Sequence, residues 1–403
     1  MLLRVVLLAA MWLFCPPPLH AADAFQQWLE ALWPDAQKIG VSRATFDIAV
    51  RGLEPDFSLP DLVVAGQPER QAPGQAEFVQ TPADYLKEAS LARLAAQGRK
   101  LAEQHRTVLQ AIERQFGVPP SILLAIWGRE TAFGGYKLPN DAIRVLATQA
   151  YAGRRKDFFR GEFLSALRLL EDGVPRAILR SSWGGAMGLT QLLPGEYYKY
   201  AVDFDGDGRA DIWSSVPDAL ASAAKQLVGK GWQRGEAWAY EVRVPRGTDC
   251  TIAEPEVTMS IGEWIGRGFE PVRGRPRADE LARTASLLMP EGLQGPAFLT
   301  PKNYFVLKDY NFSDLYVLFV GNLADRIAGG GPFATPWTRT SQLATAQLEA
   351  IQRVLSEKGF YRDRIDGKAG MKTRSALGAY QKANGLAVDC WPGPAVLEHM
   401  HLR

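Results

Sequence analysis

The sequence predicts a mainly α-helical protein: a large helical domain carrying a small strand-containing insert, then a small helical domain at the C-terminus. Three observations predict it. Apolar residues recur at helical spacing through most of the chain. Strand-like pieces among turns are confined to about 236–312. Gly329-Gly330-Gly331-Pro332, followed by Ala334-Thr335-Pro336, reads as a linker over 329–339. It separates a main domain, 23–328, from a module, 340–403, and a chain of 403 residues has room for two or three domains of roughly 150 residues each.

The elements follow in order. Residues 25–53 read as helical, with Trp28, Leu29 and Leu32 at helical spacing and Ser42 as a cap for Arg43–Arg51. From Glu54 to Pro82, Pro, Gly and Gln predict an extended wrap. One long helix is expected over Ala83–Phe116, stopped by Gly117 and Pro119-Pro120. Further helices are expected over 120–130, 156–171, 192–200 and 217–231. Trp238–Val244 and Tyr304–Leu307 read as strands, and Ser313 caps a last helix through Ile327. In the module, Leu343–Lys358 and Thr373–Lys382 are helical, each followed by a Gly-containing turn.

Composition narrows the classes. Hydrophobic residues are 47% and charged residues 22%, which suits a packed globule and excludes wholesale disorder. Lys+Arg of 46 against Asp+Glu of 44 leaves a net charge of +2, with no electrostatic case for nucleic acid. Arg4, the apolar run Val5–Cys15 and the small residues Ala21-Ala22 read as a secretory signal peptide, residues 1–22, and so as export. Cleavage there removes Cys15 and leaves Cys250 and Cys390 of the three cysteines. They fall in different predicted domains, so no disulfide is expected. Four histidines leave little for a histidine metal site or a Ser/His/Asp triad.

Five clusters carry the candidate chemistry. In Pro119–Gly134, a helix after the prolines aligns Leu123, Ile126, Trp127 and Glu130 on one face. An acid on an apolar face is desolvated, its pKa rises, and it stays protonated as a general acid must. The plain reading is a helix-end glutamate held by solvent or an arginine. In Ser181–Gln191, small residues allow close backbone approach, and Ser182, Thr190 and Gln191 could hydrogen-bond a sugar; alone, it is also an ordinary turn. Asp203-Phe204-Asp205-Gly206-Asp207-Gly208-Arg209-Ala210-Asp211 opens like an EF-hand loop, with hard oxygen donors suited to Ca²⁺. Position 12 holds Ser214, so Asp218 would have to close the loop, and a metal-free Asx turn is the alternative. Tyr310, Asn311 and Tyr316 offer a stacking face and an amide, or plain packing. In the module, Asp366-Gly367, Thr373 and Tyr380 define a small helical domain without specifying a ligand.

Together these clusters resemble the lytic murein transglycosylase B family, in the version with a C-terminal peptidoglycan-binding domain. The resemblance runs from Gly52-Leu53-Glu54-Pro55-Asp56 and Glu77-Phe78-Val79-Gln80-Thr81-Pro82 through Ala125–Thr131 and Ser182–Gly188 to Leu323–Pro332. It implies a lysozyme-like catalytic domain that cleaves peptidoglycan glycan strands. It gives Glu130 the role of single acid/base, and Ser182 and Gln191 roles as substrate contacts. Tyr310, Asn311 and Tyr316 would hold the N-acetyl group of the sugar attacked. Asp203, Asp205, Asp207, Arg209 and Asp211 would form a structural calcium loop closed by Asp218, with no organic cofactor. Glycan strands are the implied binding partner, with cell-wall synthesis or hydrolysis proteins as possible protein partners, no nucleic acid, and a monomeric chain.

The sequence departs from the family pattern in four places. Ala223-Ala224-Lys225-Gln226-Leu227 lacks the usual Asn-Tyr, which leaves Gln226 where an aromatic groove residue is expected. Ala132 replaces a commoner Asn, leucines at 189, 192 and 193 flank Gln191, and the calcium loop is one residue longer before Asp218. The implied chemistry is cleavage of the β-1,4 bond between N-acetylmuramic acid and N-acetylglucosamine, with formation of a 1,6-anhydromuramic end. A lysozyme-type hydrolase and a non-catalytic wall-binding scaffold are the alternatives.

Overall fold

The structure, a computed structural model, describes residues 21–64, 76–338 and 341–402. All but the last two residues of the expected export signal lie outside them, as does 65–75 of the expected wrap. No helix among the described residues is long and apolar enough to cross a membrane.

Two helical cores build the main domain. In the first, Pro120–Thr131 is packed by Glu88–Gln104, Arg106–Phe116, Val216–Gly229 and Asp314–Ile327, around Leu123, Ile126, Leu220, Val317 and Leu323. In the second, Arg43–Val50, Ala142–Ala152 and Lys156–Glu171 bury Phe25, Phe46, Leu146 and Phe163. Burial of each such side chain contributes about 1.5–3 kcal/mol. The helix starts are chemically marked: Ser42 Oγ accepts from Thr45 N (3.2 Å), Asp141 Oδ1 from Ile143 N (2.9 Å), and Ser313 Oγ from Tyr316 N (3.4 Å).

Two expectations about these helices are corrected. The stretch 83–116 is three helices, Pro82–Tyr85, Glu88–Gln104 and Arg106–Phe116, with breaks at Leu86-Lys87 and His105. Neither break carries Pro or Gly, so apolar periodicity runs through both. Tyr304–Leu307 is not a strand but part of the helix Lys302–Asn311. Its aromatic and β-branched residues favour a strand locally, yet Tyr304, Val306 and Leu307 are all fully buried in the helical core. Asn303 fixes the helix start by donating to Gln233 O and Glu236 O, both at 2.9 Å.

The insert is a five-stranded antiparallel sheet in the order Thr258–Ser260, Thr284–Leu288, Ala297–Thr300, Tyr240–Arg243, Glu270–Pro271. Its core holds Trp264, Phe269, Leu287 and Leu299. In the C-terminal module, Thr345–Glu357, Met371–Ala383 and Pro394–His399 pack around Ile351, Leu355, Leu377 and Val396. Gln352 Oε1 accepts from Asp366 N (2.9 Å) and Gly367 N (2.8 Å), which pins the Asp-Gly turn.

The module is joined to the insert more closely than a linker suggests. Phe333 packs on Phe298 with ring centroids 4.9 Å apart, and Ala334 N and Thr335 N donate to the Glu241 carboxylate at 2.9 and 2.7 Å. Cys250 and Cys390 form a disulfide, against expectation. The physical reason is that the module lies on the insert. Ser375 Oγ donates to Thr251 O (2.8 Å), Lys382 pairs with Asp249 (3.0 Å), and Leu293 N donates to Asp389 O (3.2 Å). Gly378 makes the room: a Cβ there would stand 2.2 Å from Cys390 Sγ.

A second tie reaches the main domain. Arg374 of the module pairs with Asp314 (3.2 Å), which also takes Lys308 Nζ (2.6 Å) and the Tyr304 hydroxyl (2.7 Å). Burial pushes the Asp314 carboxyl up, but Lys308 and Arg374 outweigh it and hold it well below the usual carboxylate range. Asp314 opens the helix that carries Tyr316.

Candidate active site

A groove of about 1810 Å³ crosses the molecule, bounded by the main domain on one side and by Lys368, Gly370 and Arg374 of the module on the other. Small-molecule pockets span roughly 300–1,000 Å³, so this size suits a polymer. Glu130, Ser182, Gln191, Tyr310 and Asn311 all line it.

Glu130 is placed by the last turn of Pro120–Thr131, which ends where Ala132 turns left-handed at φ 50°. The helix is buried on nearly all sides, with Leu123, Leu124, Ala125 and Ile126 fully enclosed. Trp127 is buried too, edge-on to Phe133 at 5.5 Å, so it belongs to the packing behind the acid. Burial pushes the Glu130 pKa up. The Tyr316 hydroxyl, donating to Glu130 Oε1 at 2.5 Å, and the Arg129 charge oppose that rise, while the Glu77 carboxylate adds to it. Arg129 does not pair with Glu130: it donates to the Tyr85 hydroxyl at 3.0 Å and lies over the Tyr85 and Phe319 rings. The result is a half-buried glutamate lining the groove, kept protonated further up the pH scale than a free one.

Ser182 and Gln191 come from one folded turn. Ser182 N donates to Ala186 O (2.9 Å), and Met187 and Leu192 exchange backbone hydrogen bonds at 2.8 and 2.9 Å. Gly184 is open to the groove, whereas Gly185 and Gly188 approach protein rather than ligand. Gly188, at φ 74°, would place a Cβ 2.7 Å from Ile212 O. Thr190, a sugar-contact candidate by sequence, is 1% exposed and its hydroxyl donates to Ala219 O, so it serves packing. Gln226 is likewise buried and does not line the groove.

The Tyr310, Asn311 and Tyr316 group divides. The rings of Tyr310 and Tyr316 lie parallel, 7° apart in plane and 6.2 Å between centroids. The Tyr310 hydroxyl donates to Thr190 O (2.5 Å). Tyr316 is 1% exposed and acts on Glu130 rather than facing the open groove. Asn311 ends its helix with a side-chain oxygen, Oδ1, that is buried and has no hydrogen-bond partner within the protein. Asn311 lines the groove, so this unsatisfied side chain is the wall's candidate partner for a ligand amide.

The acidic loop also divides. Carboxylate oxygens of Asp203, Asp205 and Asp218 lie within 4.8 Å of one another. Asp218 is fully buried and accepts from Phe204 N (2.8 Å) and Asp211 N (2.8 Å). Asp207 and Asp211 point elsewhere: Asp207 Oδ1 accepts from Arg209 N (2.9 Å), and Asp211 Oδ1 from Trp213 N and Ser214 N, both 2.9 Å. Three converging carboxylates, one of them buried, form a hard oxygen donor set that fits Ca²⁺. Residues that sequence reasoning assigned no role also line the groove: Glu77, Phe78, Phe312, Lys368 and Arg374. Glu77 and Phe78 stand in a motif of the resemblance that names no role for them, and the five converge on the groove from three distant segments.

The sequence matches the model described as Transglycosylase SLT domain over residues 24–325, and a peptidoglycan binding domain model over 345–400. It is 30% identical over 233 residues to membrane-bound lytic murein transglycosylase B of Escherichia coli K12. That match covers 56% of this chain and 61% of the relative, so the chain spans about three fifths of that relative's length. The fold is similar to the crystal structure of SltB3 from Pseudomonas aeruginosa in complex with NAG-anhNAM-pentapeptide: TM-score 0.83, 38% identity, 94% of this chain and 99% of that one. SltB1 from the same organism gives 0.60 at 26% identity, covering 76% of this chain and 98% of that chain. The calcium complex of Escherichia coli Slt35 has the same fold, with TM-score 0.55 at 23% identity, covering 76% and 93%.

Proposed function

The chain belongs to the transglycosylase SLT domain family, and on that premise we propose that it is an exported, periplasmic peptidoglycan lytic transglycosylase with Glu130 as its one acid/base. The observation that carries the reading is the pairing of two groups in one groove. A desolvated Glu130 held by Tyr316 stands with Asn311 Oδ1, a buried acceptor lacking a partner.

Each group has a task in the proposed reaction. Glu130 gives its proton to the glycosidic oxygen between N-acetylmuramic acid and N-acetylglucosamine, and the C1–O bond breaks. Asn311 Oδ1 accepts the acetamido N–H of the muramic residue. This orients the acetamido oxygen toward C1 and increases its electron density, and a bond forms there. The C6 hydroxyl oxygen then attacks C1 and displaces the acetamido oxygen, while its proton goes to ionised Glu130. The 1,6-anhydro ring closes, the acid is regenerated, and no water is consumed. A second carboxylate, which most glycoside hydrolases require, has no task in this scheme. Positioning the internal nucleophile supplies much of the rate. Ser182 and Gln191 would hold neighbouring hydroxyl and amide groups.

Mass spectrometry of muropeptides released from purified sacculi tests the reaction. The expected products carry anhydromuramic ends. Products heavier by one water per cut mean hydrolysis, and overturn the proposal.

Asp203, Asp205 and Asp218 would hold Ca²⁺, with the ion binding the 203–218 loop to the start of the helix Val216–Gly229. Its role would be structural. With calcium at a hundred times its Kd, unfolding should be opposed by about 2.7 kcal/mol more. Calorimetry should therefore show a lower melting temperature in chelator than in calcium, and equal temperatures in the two buffers would refute the site.

A further inference from the structure

We propose that Phe312 is a saccharide-stacking residue, binding the pyranose ring next to the one whose acetamido group Asn311 holds; this rests on the proposed reading of the groove. Phe312 follows the helix Lys302–Asn311 in the left-handed region, at φ 58°, and its side chain is 71% exposed. Both features are unfavourable in the free protein. That position after a helix is ordinarily taken by Gly or Asn, because a Cβ crowds the carbonyl there, and a bulky residue is an outlier. An aromatic ring left in water also forgoes the burial that stabilises it elsewhere. Strain of this kind is stored where function uses it.

The surroundings say what the ring is for. Phe312 lines the groove that contains Glu130, and the preceding residue supplies the unpartnered Asn311 Oδ1. Ser313 Oγ, just after it, donates to Glu77 O (3.4 Å), and this ties the Phe312 segment to Glu77-Phe78, which also line the groove. The Phe78 ring is already engaged: Lys368 Nζ sits 3.5 Å from its centroid. Among the described residues no ring or cation packs on Phe312, so its face is open to the groove. Next to an acceptor for an acetamide N–H, the matching occupant of an open aromatic face is the C–H face of a hexopyranose. The amide oxygen fixes orientation and the ring supplies apolar contact area.

The test uses full-length protein in a Glu130→Gln background, where an alternating N-acetylglucosamine–N-acetylmuramic acid tetrasaccharide can be titrated calorimetrically without turnover. Phe312→Ala should weaken binding roughly tenfold (about 1.4 kcal/mol), and Phe312→Trp should bind within about twofold of the parent. Phe312→Asn should lose the same tenfold while its melting temperature rises, since Asn tolerates the left-handed backbone. A purely structural role moves melting temperature and binding together and cannot give that opposed pair. The proposal is overturned if the Ala and Asn variants bind like the parent, or if Trp loses as much as Ala. The two readings fail separately. Wild-type protein that releases no anhydro ends refutes the reaction, whereas wild-type cutting with unchanged KM in the Phe312 variants refutes only the stacking role.

Discussion

Glu130→Gln is expected to abolish release of anhydro-muropeptides, lowering kcat by roughly 10²–10⁴-fold, the contribution of a positioned acid/base, while binding to sacculi stays near normal. Glutamine keeps the size of the side chain, and it can still meet the Tyr316 hydroxyl, but it has no proton to give. The pH dependence has a definite sign. Burial raises the Glu130 pKa, so the protonated, competent form persists above the ordinary glutamate range. The rate should then fall as pH rises through that raised pKa. The Tyr316 hydroxyl stabilises the ionised form from 2.5 Å. Tyr316→Phe removes that help, so the falling limb of the kcat profile should move to higher pH. A limb that stays in place, or moves down, would show that Tyr316 does not act through the acid. Wild-type anhydro product yields in Glu130→Gln would remove Glu130 from the mechanism altogether.

Breaking the Cys250–Cys390 disulfide should lower stability by about 2–5 kcal/mol, the usual consequence of losing a native disulfide. The bond closes a loop across 140 residues of sequence. Cutting it frees the unfolded chain far more than it disturbs the folded one. At roughly 2–4 °C per kcal/mol for a domain of this size, the melting temperature should drop by several degrees in reductant. A Cys250→Ser, Cys390→Ser double variant should melt lower in both buffers and show no response to reductant. If reductant leaves the wild-type melting curve unmoved, the bond contributes nothing to holding the module. A structural disulfide also accords with an oxidising compartment, and therefore with the proposed export.

The contrast between Glu130 and Phe312 shows where sequence reasoning reached its end. Glu130 was legible because its environment is local. Leu123, Ile126 and Trp127 precede it at helical spacing, and a helix that begins at Pro120 must bury those residues beside it. Phe312 carries an equally definite physical signal, strain and exposure, but that signal exists only once φ and the neighbours are known. The acidic loop lies between these cases. Its residue types are hard oxygen donors, yet which of them converge depends on the loop path. That path brings Asp218 to Asp203 and Asp205 and leaves Asp207 and Asp211 serving turns. Tyr304–Leu307 misled for a related reason. Its local preference for a strand is a fraction of a kcal/mol per residue, whereas full burial of Tyr304, Val306 and Leu307 on a helix is worth several.

By itself, the sequence determined the helical class, the caps at Ser42 and Ser313, the division into a main domain and a small module, and the place of Glu130 at the end of an apolar helix. These rest on periodicity, capping and motif order, which act over one to four turns of chain. Only the tertiary structure decided that the module is bonded to the insert through Cys250–Cys390 and that Arg374 meets Asp314. It alone decided that Tyr316 serves Glu130 rather than the open groove, and that Phe312 faces the groove uncovered. Each of these depends on residues far apart in sequence arriving at one point. Their meeting is set by how whole elements pack, a sum over many weak contacts that no single segment of the chain encodes.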